Sequence, residues 1–240
     1  MLRGPKTIAL IVSFHSYSWI RQCVSSFVKH CSDMPLLVLD NNASKQDDDD
    51  RSFSFKFSWI RIEYSNYLVQ SERERDWLKK QPQVILVRTP KFFYHGEAIN
   101  YALSWCADRH IQYMVHIEPD CLISGRQWLD SLNKSIDGNW MASGHKFPFG
   151  PLHLTPSIWL VKKARHFDFL HRSKEELPPP SDYSKYINDS LMSSTNFCTD
   201  YWDVGQHAWF QCAKEGKARY VDVKDIVHFW LGTSTSGIKV

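Results

Sequence analysis

The apolar run Tyr113-Met114-Val115-His116-Ile117 stops abruptly at two carboxylates around a proline, Glu118-Pro119-Asp120. The run has the composition of a buried strand. Side chains alternate faces along extended backbone, so Glu118 and Asp120 can point the same way from an exposed strand tip. Pro119 removes a donor there and discourages further pairing. Two carboxylates so placed suit a hard cation, Mg²⁺ or Mn²⁺, that keeps positions open for the phosphates of a nucleotide. A solvated acidic turn after a strand fits the same residues. Two later stretches carry further chemistry: Thr199-Asp200-Tyr201-Trp202-Asp203-Val204-Gly205 and Ile226-Val227-His228-Phe229-Trp230-Leu231-Gly232-Thr233-Ser234. Asp203 stands where a helix cap should, so capping and proton abstraction are both open to it. His228, behind two apolar residues, reads as a structural histidine unless carboxylates await it.

These residues need elements to position them. Thr7 to Phe14 is a continuous apolar run that predicts a strand buried on both faces, as in a parallel sheet. Trp19, Ile20, Cys23, Val24, Phe27, Val28 and Cys31 then recur at helical spacing, with Ser16 or Ser18 as the cap. Leu36 to Leu39 follows as a second strand, ending in Asp40-Asn41-Asn42-Ala43-Ser44. This is a βαβ opening with a right-handed crossover. Ligands in such sheets bind at the carboxyl ends of the strands, which predicts that Ser13 to Ser16, Asp40 to Ser44 and the Glu118/Asp120 tip lie close together. No Gly-x-Gly-x-x-Gly follows the first strand, which counts against a dinucleotide-binding domain.

The stretch 45–83 is the least legible and reads as an atypical insertion. Asp47 to Asp50 reads as a solvated loop, Phe53 to Phe57 alternates like an edge hairpin, and Leu68 to Lys80 is polar and helical. Val84 to Val87 is a third apolar strand. His95-Gly96-Glu97 opens a helix whose Ile99, Ala102, Leu103 and Cys106 share a face; its N-terminal N–H groups would favour an anion, although packing explains the helix equally well. Arg126 to Ile136 predicts a helix, Trp140 to Ser143 and Ser157 to Val161 predict strands, and the proline-rich stretch 175–184 predicts a loop or lid. A helix carrying Ala208, Trp209, Cys212 and Ala213 stops at Gly216, and Ala218 to Val223 is a last full strand.

Composition bounds the rest. The 240 residues suffice for one sizeable core, and no low-complexity linker splits them, so a single α/β domain over 1–240 is expected. Lys plus Arg number 29 against 26 for Asp plus Glu, a balance unlike that of a dedicated nucleic-acid binder and compatible with an anionic small molecule. The apolar run Ile8 to Val12 is too short for a signal sequence or a membrane span. The expectation is a cytoplasmic chain without a transmembrane segment, with peripheral membrane contact and oligomeric state left open. The six cysteines form no Cys-x-x-Cys pair and mostly sit in apolar patterns, which predicts reduced core residues.

The order of these features resembles the inverting family-2 glycosyltransferases with the GT-A fold. Val12-Ser13-Phe14-His15-Ser16 is similar to that family's first-strand Val-Ser-Tyr-Asn-Ser segment, and Leu37-Val38-Leu39-Asp40-Asn41-Asn42-Ala43-Ser44 to its Val-Val-Asp-Asn-x-Ser segment. Gly96 and Asn100 fall at its glycine-to-asparagine helix start, Glu118-Pro119-Asp120 at its Asp-x-Asp metal motif, and Asp203-Val204-Gly205 at its acceptor-side acidic segment. His228-Phe229-Trp230-Leu231-Gly232-Thr233-Ser234 resembles its late His-x-Trp-Gly-Ser ending. The sequence departs from the pattern at His15, an asparagine in the family, at Glu118, an aspartate there, and in lacking a Glu-Asp pair before the late helix.

The resemblance implies a mostly parallel central sheet flanked by helices and a metal-dependent transfer from a nucleoside-diphosphate sugar to the hydroxyl of a carbohydrate or other acceptor. Ser13, His15 and Asp40 would hold the nucleoside, with Gly96 and Asn100 at the helix start beside it. Asp120, supported by Glu118 and His228, would hold Mg²⁺ or Mn²⁺. Asp203 would be the general base, with Asp200 the alternative, and Trp202 or Trp230 could wall the sugar. A nucleotidyltransferase on a similar sheet, or an inactive carbohydrate-binding or scaffold protein, are the competing readings.

Overall fold

The computed structural model describes residues 6–13, 17–41, 72–91, 93–145, 156–167, 169, 172–173, 201–202 and 206–228. Its centre is β1 (Thr7–Ser13), whose Ile8, Leu10 and Val12 enter one hydrophobic cluster while Ala9 and Ile11 enter another. An unbroken apolar strand is thus covered on both faces, as its composition requires. The sheet around it runs β10-β6-β7-β4-β1-β2-β3. The other strands are β2 (Leu36–Asp40), β3 (Val84–Arg88), β4 (Tyr113–His116), β6 (Met141–His145), β7 (Ser157–Leu160) and β10 (Ala218–Asp222). β1 is parallel to β2 and β4, β2 to β3, and β6 to β10; β7 alone runs antiparallel, between β4 and β6. β3 is less buried than its composition suggests because it forms an edge of the sheet, with Ile85 exposed.

Helices cover both faces. On one lie α1 (Tyr17–His30), with Ile20, Cys23, Val24 and Phe27 fully buried, α2 (residues 72–79), anchored by Leu78, and α4 (Gln127–Ser135), with Trp128, Leu129 and Leu132. The opposite face takes α3 (His95–Asp108), the one-turn α5 (Val161–Ala164) and α6 (Gln206–Lys214). Each buried aliphatic or aromatic side chain of these stripes contributes about 1.5–3 kcal/mol. The expected strand from Ser157 to Val161 ends at Leu160, where Val161 begins α5 and donates its N–H to Gln112 O at 3.0 Å. Two short ladders complete the description: β5 (Cys121–Ile123) with β11 (Ile226–His228), and β8 (Arg172–Ser173) with β9 (Tyr201–Trp202). Among the described residues, no helix is long and apolar enough to cross a membrane.

Two helices end in the same way with different residues. In α6, Gly216 N–H bonds Ala213 O and Lys217 N–H bonds Cys212 O, with Gly216 at φ +64°. That is a Schellman motif with glycine at its left-handed position. α3 repeats it, His110 N–H to Ala107 O and Ile111 N–H to Cys106 O, but the left-handed residue is His110 at φ 56°. A side chain there works against the Cβ sterics that glycine avoids. His110→Gly is expected to stabilise the fold by about 0.5–1 kcal/mol in urea unfolding; an unchanged or lower midpoint would show that the imidazole compensates for its backbone.

Candidate active site

The parallel strands deliver their carboxyl ends to one edge. Ser13 closing β1 is the register partner of Asp40 closing β2, which in turn faces Arg88 closing β3. Asn41 N–H bonds Ser13 O at 3.0 Å and Thr89 N–H bonds Asp40 O at 3.0 Å, so the pairing runs past the strands. Asn41 then pins the loop entering α3: its Nδ2 donates to Phe93 O at 2.7 Å, and its Oδ1 accepts from Phe93 N–H at 2.9 Å. This fixes the start of α3 beside β2. Gly96 is buried in its first turn and Asn100 half-buried in the next, while Glu97 accepts Tyr94 N–H at 2.8 Å and occupies one of the free helix donors. At the same edge His95 packs on His116, ring centroids 5.5 Å apart, and His116 stacks on Trp159 at 5.6 Å.

The acidic pair is placed differently from the sequence-based expectation. β4 ends at His116, Glu118 to Asp120 form a turn closed by Cys121 N–H on Glu118 O at 3.1 Å, and Asp120 is only 1 % exposed. Asp120 is therefore a buried carboxylate in a turn and not the exposed tip of an extended strand; the turn carries the chain out of the main sheet into β5, which pairs with β11. Glu118 is half-buried, and its carbonyl accepts from Cys23 Sγ at 3.5 Å. Burial pushes the Cys23 thiol up to about 12, with the Asp120 charge adding to the effect, and the Cys121 thiol is raised by burial, Cys23 and the two carboxylates. Both thiols therefore stay protonated. The carboxylate oxygens of the turn are hard donors of the kind that suit Mg²⁺ or Mn²⁺.

His228 reaches this turn through its backbone. In the β5/β11 ladder it is the register partner of Cys121, the residue after Asp120. Asp225 sets that ladder: it adopts φ 65°, its carbonyl accepts Ser124 N–H at 2.8 Å, and its Oδ2 accepts Gln127 N–H at the start of α4 at 3.1 Å. Of His228 only the main chain is described. Among the described residues, no three His, Cys, Asp or Glu side chains converge on one point. His15, Asp200, Asp203 and Trp230 lie outside the described residues, as do Asp47 to Asp50, Phe53 to Phe57 and the stretch 175–184; the side chain of Trp202 is likewise not described.

Two residues that hold Ser13 and Asp40 carry no signal in the sequence. Arg75 on α2 pairs with Asp40, Nε to Oδ2 at 2.5 Å, and Ser13 Oγ donates to Glu74 Oε1 at 3.3 Å. Arg21 of α1, lying over the Trp77 ring at 5.5 Å, braces α2 from beneath. The stretch 45–83, which shows no motif, thus ends in a helix that holds both Ser13 and Asp40. Burial raises Glu74 from 4.5 to about 7; the Ser13 hydroxyl lowers it, Asp40 raises it, and Arg21 and Arg75 lower it.

Between pH 4.5 and about 7 the folded chain keeps a proton on Glu74 that the unfolded chain has lost, so this contribution to stability is full below the unfolded value and declines as pH rises through the folded one. Glu74→Gln, which keeps the shape and accepts the same hydroxyl, is expected to remove about 1–3 kcal/mol of that decline. Urea unfolding at pH 4.5 and 8 reads it; parallel pH dependences in the two proteins would remove Glu74 as its source.

No family model matches the chain, and no curated protein matches it. Among solved structures, the chain is similar to the mannosyltransferase PcManGT from Pyrobaculum calidifontis, in complex with GDP-Man and Mn²⁺, at 14% identity and a TM-score of 0.47, over 69% of this chain and 48% of that one. It is also similar to S. aureus TarS 1–349 in complex with UDP-GlcNAc, at 12% identity and a TM-score of 0.43, over 67% of this chain and 46% of that one. The chain thus spans about half the length of the structures it resembles.

Proposed function

We propose that the chain is an inverting glycosyltransferase that moves a sugar from a nucleoside diphosphate to an acceptor hydroxyl, using a divalent cation. The observation that carries this reading is the meeting of Asp120 with the β5/β11 ladder, which brings the backbone of His228 beside a buried carboxylate at the carboxyl edge of a largely parallel sheet. That is where open sheets bind nucleotides. Ser13 and Asp40, held by Glu74 and Arg75, form the nucleoside end, with Gly96 and Asn100 at the adjoining helix start.

Asp120, with Glu118 and His228, would hold Mg²⁺ or Mn²⁺. When bound, the ion supplies Lewis-acid neutralisation of the departing diphosphate. Asp203 takes the proton of the acceptor hydroxyl, with Asp200 as the alternative, and attack from the face opposite the leaving group inverts the anomeric centre. We place the chain in the cytoplasm, in keeping with its five described cysteines, all free and buried.

The test is a panel of sugar nucleotides screened for Mn²⁺-dependent thermal stabilisation, followed by product analysis. A specific donor at a hundred times its Kd adds about 2.7 kcal/mol. Release of nucleoside diphosphate supports the proposal, release of pyrophosphate points to a nucleotidyltransferase, and absence of both with retained binding points to an inactive scaffold.

A further inference from the structure

At the opposite edge of the sheet, where the parallel strands begin, a cleft of about 670 Å³ opens between the residues leading into β4 and β6 and those that follow β7. Its volume falls in the range of small-molecule sites. Its walls are fixed by backbone: Leu160 N–H bonds Trp140 O at 2.8 Å, and Val161 N–H bonds Gln112 O at 3.0 Å.

The lining is cationic. Lys162, Lys163 and Arg165 contribute to it, with His110 beside them, and no Asp or Glu does. Lys163 Nζ rests over the Trp140 ring at 4.4 Å, and Arg165 Nε donates to His166 Nε2 at 3.3 Å. Neither contact supplies negative charge. Lys162, Lys163 and Arg165 have no ion pair among the described residues. Like charges held around one cleft repel unless an anion enters, and the lining itself brings no carboxylate to offset them. The rim residue His110 sits at the left-handed position where glycine would be unstrained, so a basic side chain is kept there against local backbone preference.

We propose that this cleft is a second ligand site, separate from the carboxyl edge, which binds a molecule carrying two or more phosphate-type oxyanions. The arginine fork suits bidentate capture of one such group, and the lysines act as point charges for the next. A soluble polyphosphate and the headgroups of an anionic membrane offer the same chemistry, so the test has an arm for each.

Inorganic pyrophosphate is titrated into the full chain in EDTA, which silences any metal-dependent donor site. Vesicles containing phosphatidylserine, with phosphatidylcholine vesicles as the control, are tested by co-sedimentation. Pyrophosphate is expected to raise Tm by several degrees and to bind with an affinity that falls as salt rises. Lys162→Gln combined with Arg165→Gln, both exposed positions, is expected to weaken it at least tenfold while leaving the Tm of the free protein unchanged. Binding to phosphatidylserine vesicles that pyrophosphate displaces assigns the source to a membrane surface, and pyrophosphate binding alone assigns it to a soluble ligand. Binding of neither, or pyrophosphate binding that the double variant leaves intact, overturns the site.

Discussion

Asp120→Ala is expected to abolish Mn²⁺-dependent binding of a nucleoside diphosphate, a loss of about a hundredfold or more in affinity, and to leave the sheet folded. The first half follows from chemistry: Mg²⁺ or Mn²⁺ needs a hard carboxylate oxygen in the turn, and a neighbouring thiol is too soft a donor to replace it. The second half follows from placement. Asp120 lies in a turn beyond the last residue of β4, so no ladder bond of the sheet depends on its side chain. Glu118→Ala, at a half-buried position, should cost about tenfold. His228→Ala should also weaken Mn²⁺ affinity and loosen the backbone of β11, measured as faster hydrogen exchange at Ile226 to His228 in the presence of metal and nucleotide. Calorimetric titration of nucleoside diphosphate with and without Mn²⁺ decides the main point. An Asp120→Ala protein that retains the full metal dependence refutes the assignment, and hydrogen exchange in β11 that ignores metal and nucleotide returns His228 to a structural role.

How far this edge was legible in advance depended on whether the informative contacts were local. β1 and α1 announced themselves because burial on two faces or on one helical stripe leaves a period in the sequence, and the buried set of α1 follows its predicted stripe. Gly216 marked a helix end because the left-handed position selects glycine; the same motif after α3 was hidden because His110 fills it. The cluster around Ser13 and Asp40 was half legible. Ser13 and Asp40 stand out as polar residues closing apolar strands, but Glu74 and Arg75 sit in a polar helix whose surface charges outnumber its anchors, and nothing in α2 itself distinguishes an arginine that meets a buried aspartate from one that meets water. That information lies in the tertiary pairing of segments far apart in the chain. The acid turn shows the converse error. The apolar run and its abrupt end locate β4, yet alternation along extended backbone puts Asp120 at an exposed tip, whereas the chain turns at Glu118 to Asp120 and buries it.

Asp203→Asn is expected to separate proton abstraction from helix capping, the two roles the sequence offers this residue. Asparagine caps a helix nearly as well as aspartate, so a residue that only caps would show a change well under the roughly 1 kcal/mol typical of losing a cap, with turnover near normal. Asparagine cannot take up the acceptor's proton. If Asp203 is the base, the variant keeps its affinity for donor and metal and loses about two to four decades in kcat for transfer to the acceptor. Two features of that outcome separate it from a folding defect: the loss falls on kcat and not on donor binding, and the unfolding midpoint stays that of the parent protein. Asp200→Asn supplies the internal comparison, since both acids flank β9 and differ in which side of that short strand they follow. Near-normal transfer by Asp203→Asn together with a loss of that size in Asp200→Asn moves the base upstream and leaves Asp203 as a cap. Near-normal transfer by both variants removes the acidic segment around β9 from the reaction, and with it the inverting mechanism as proposed.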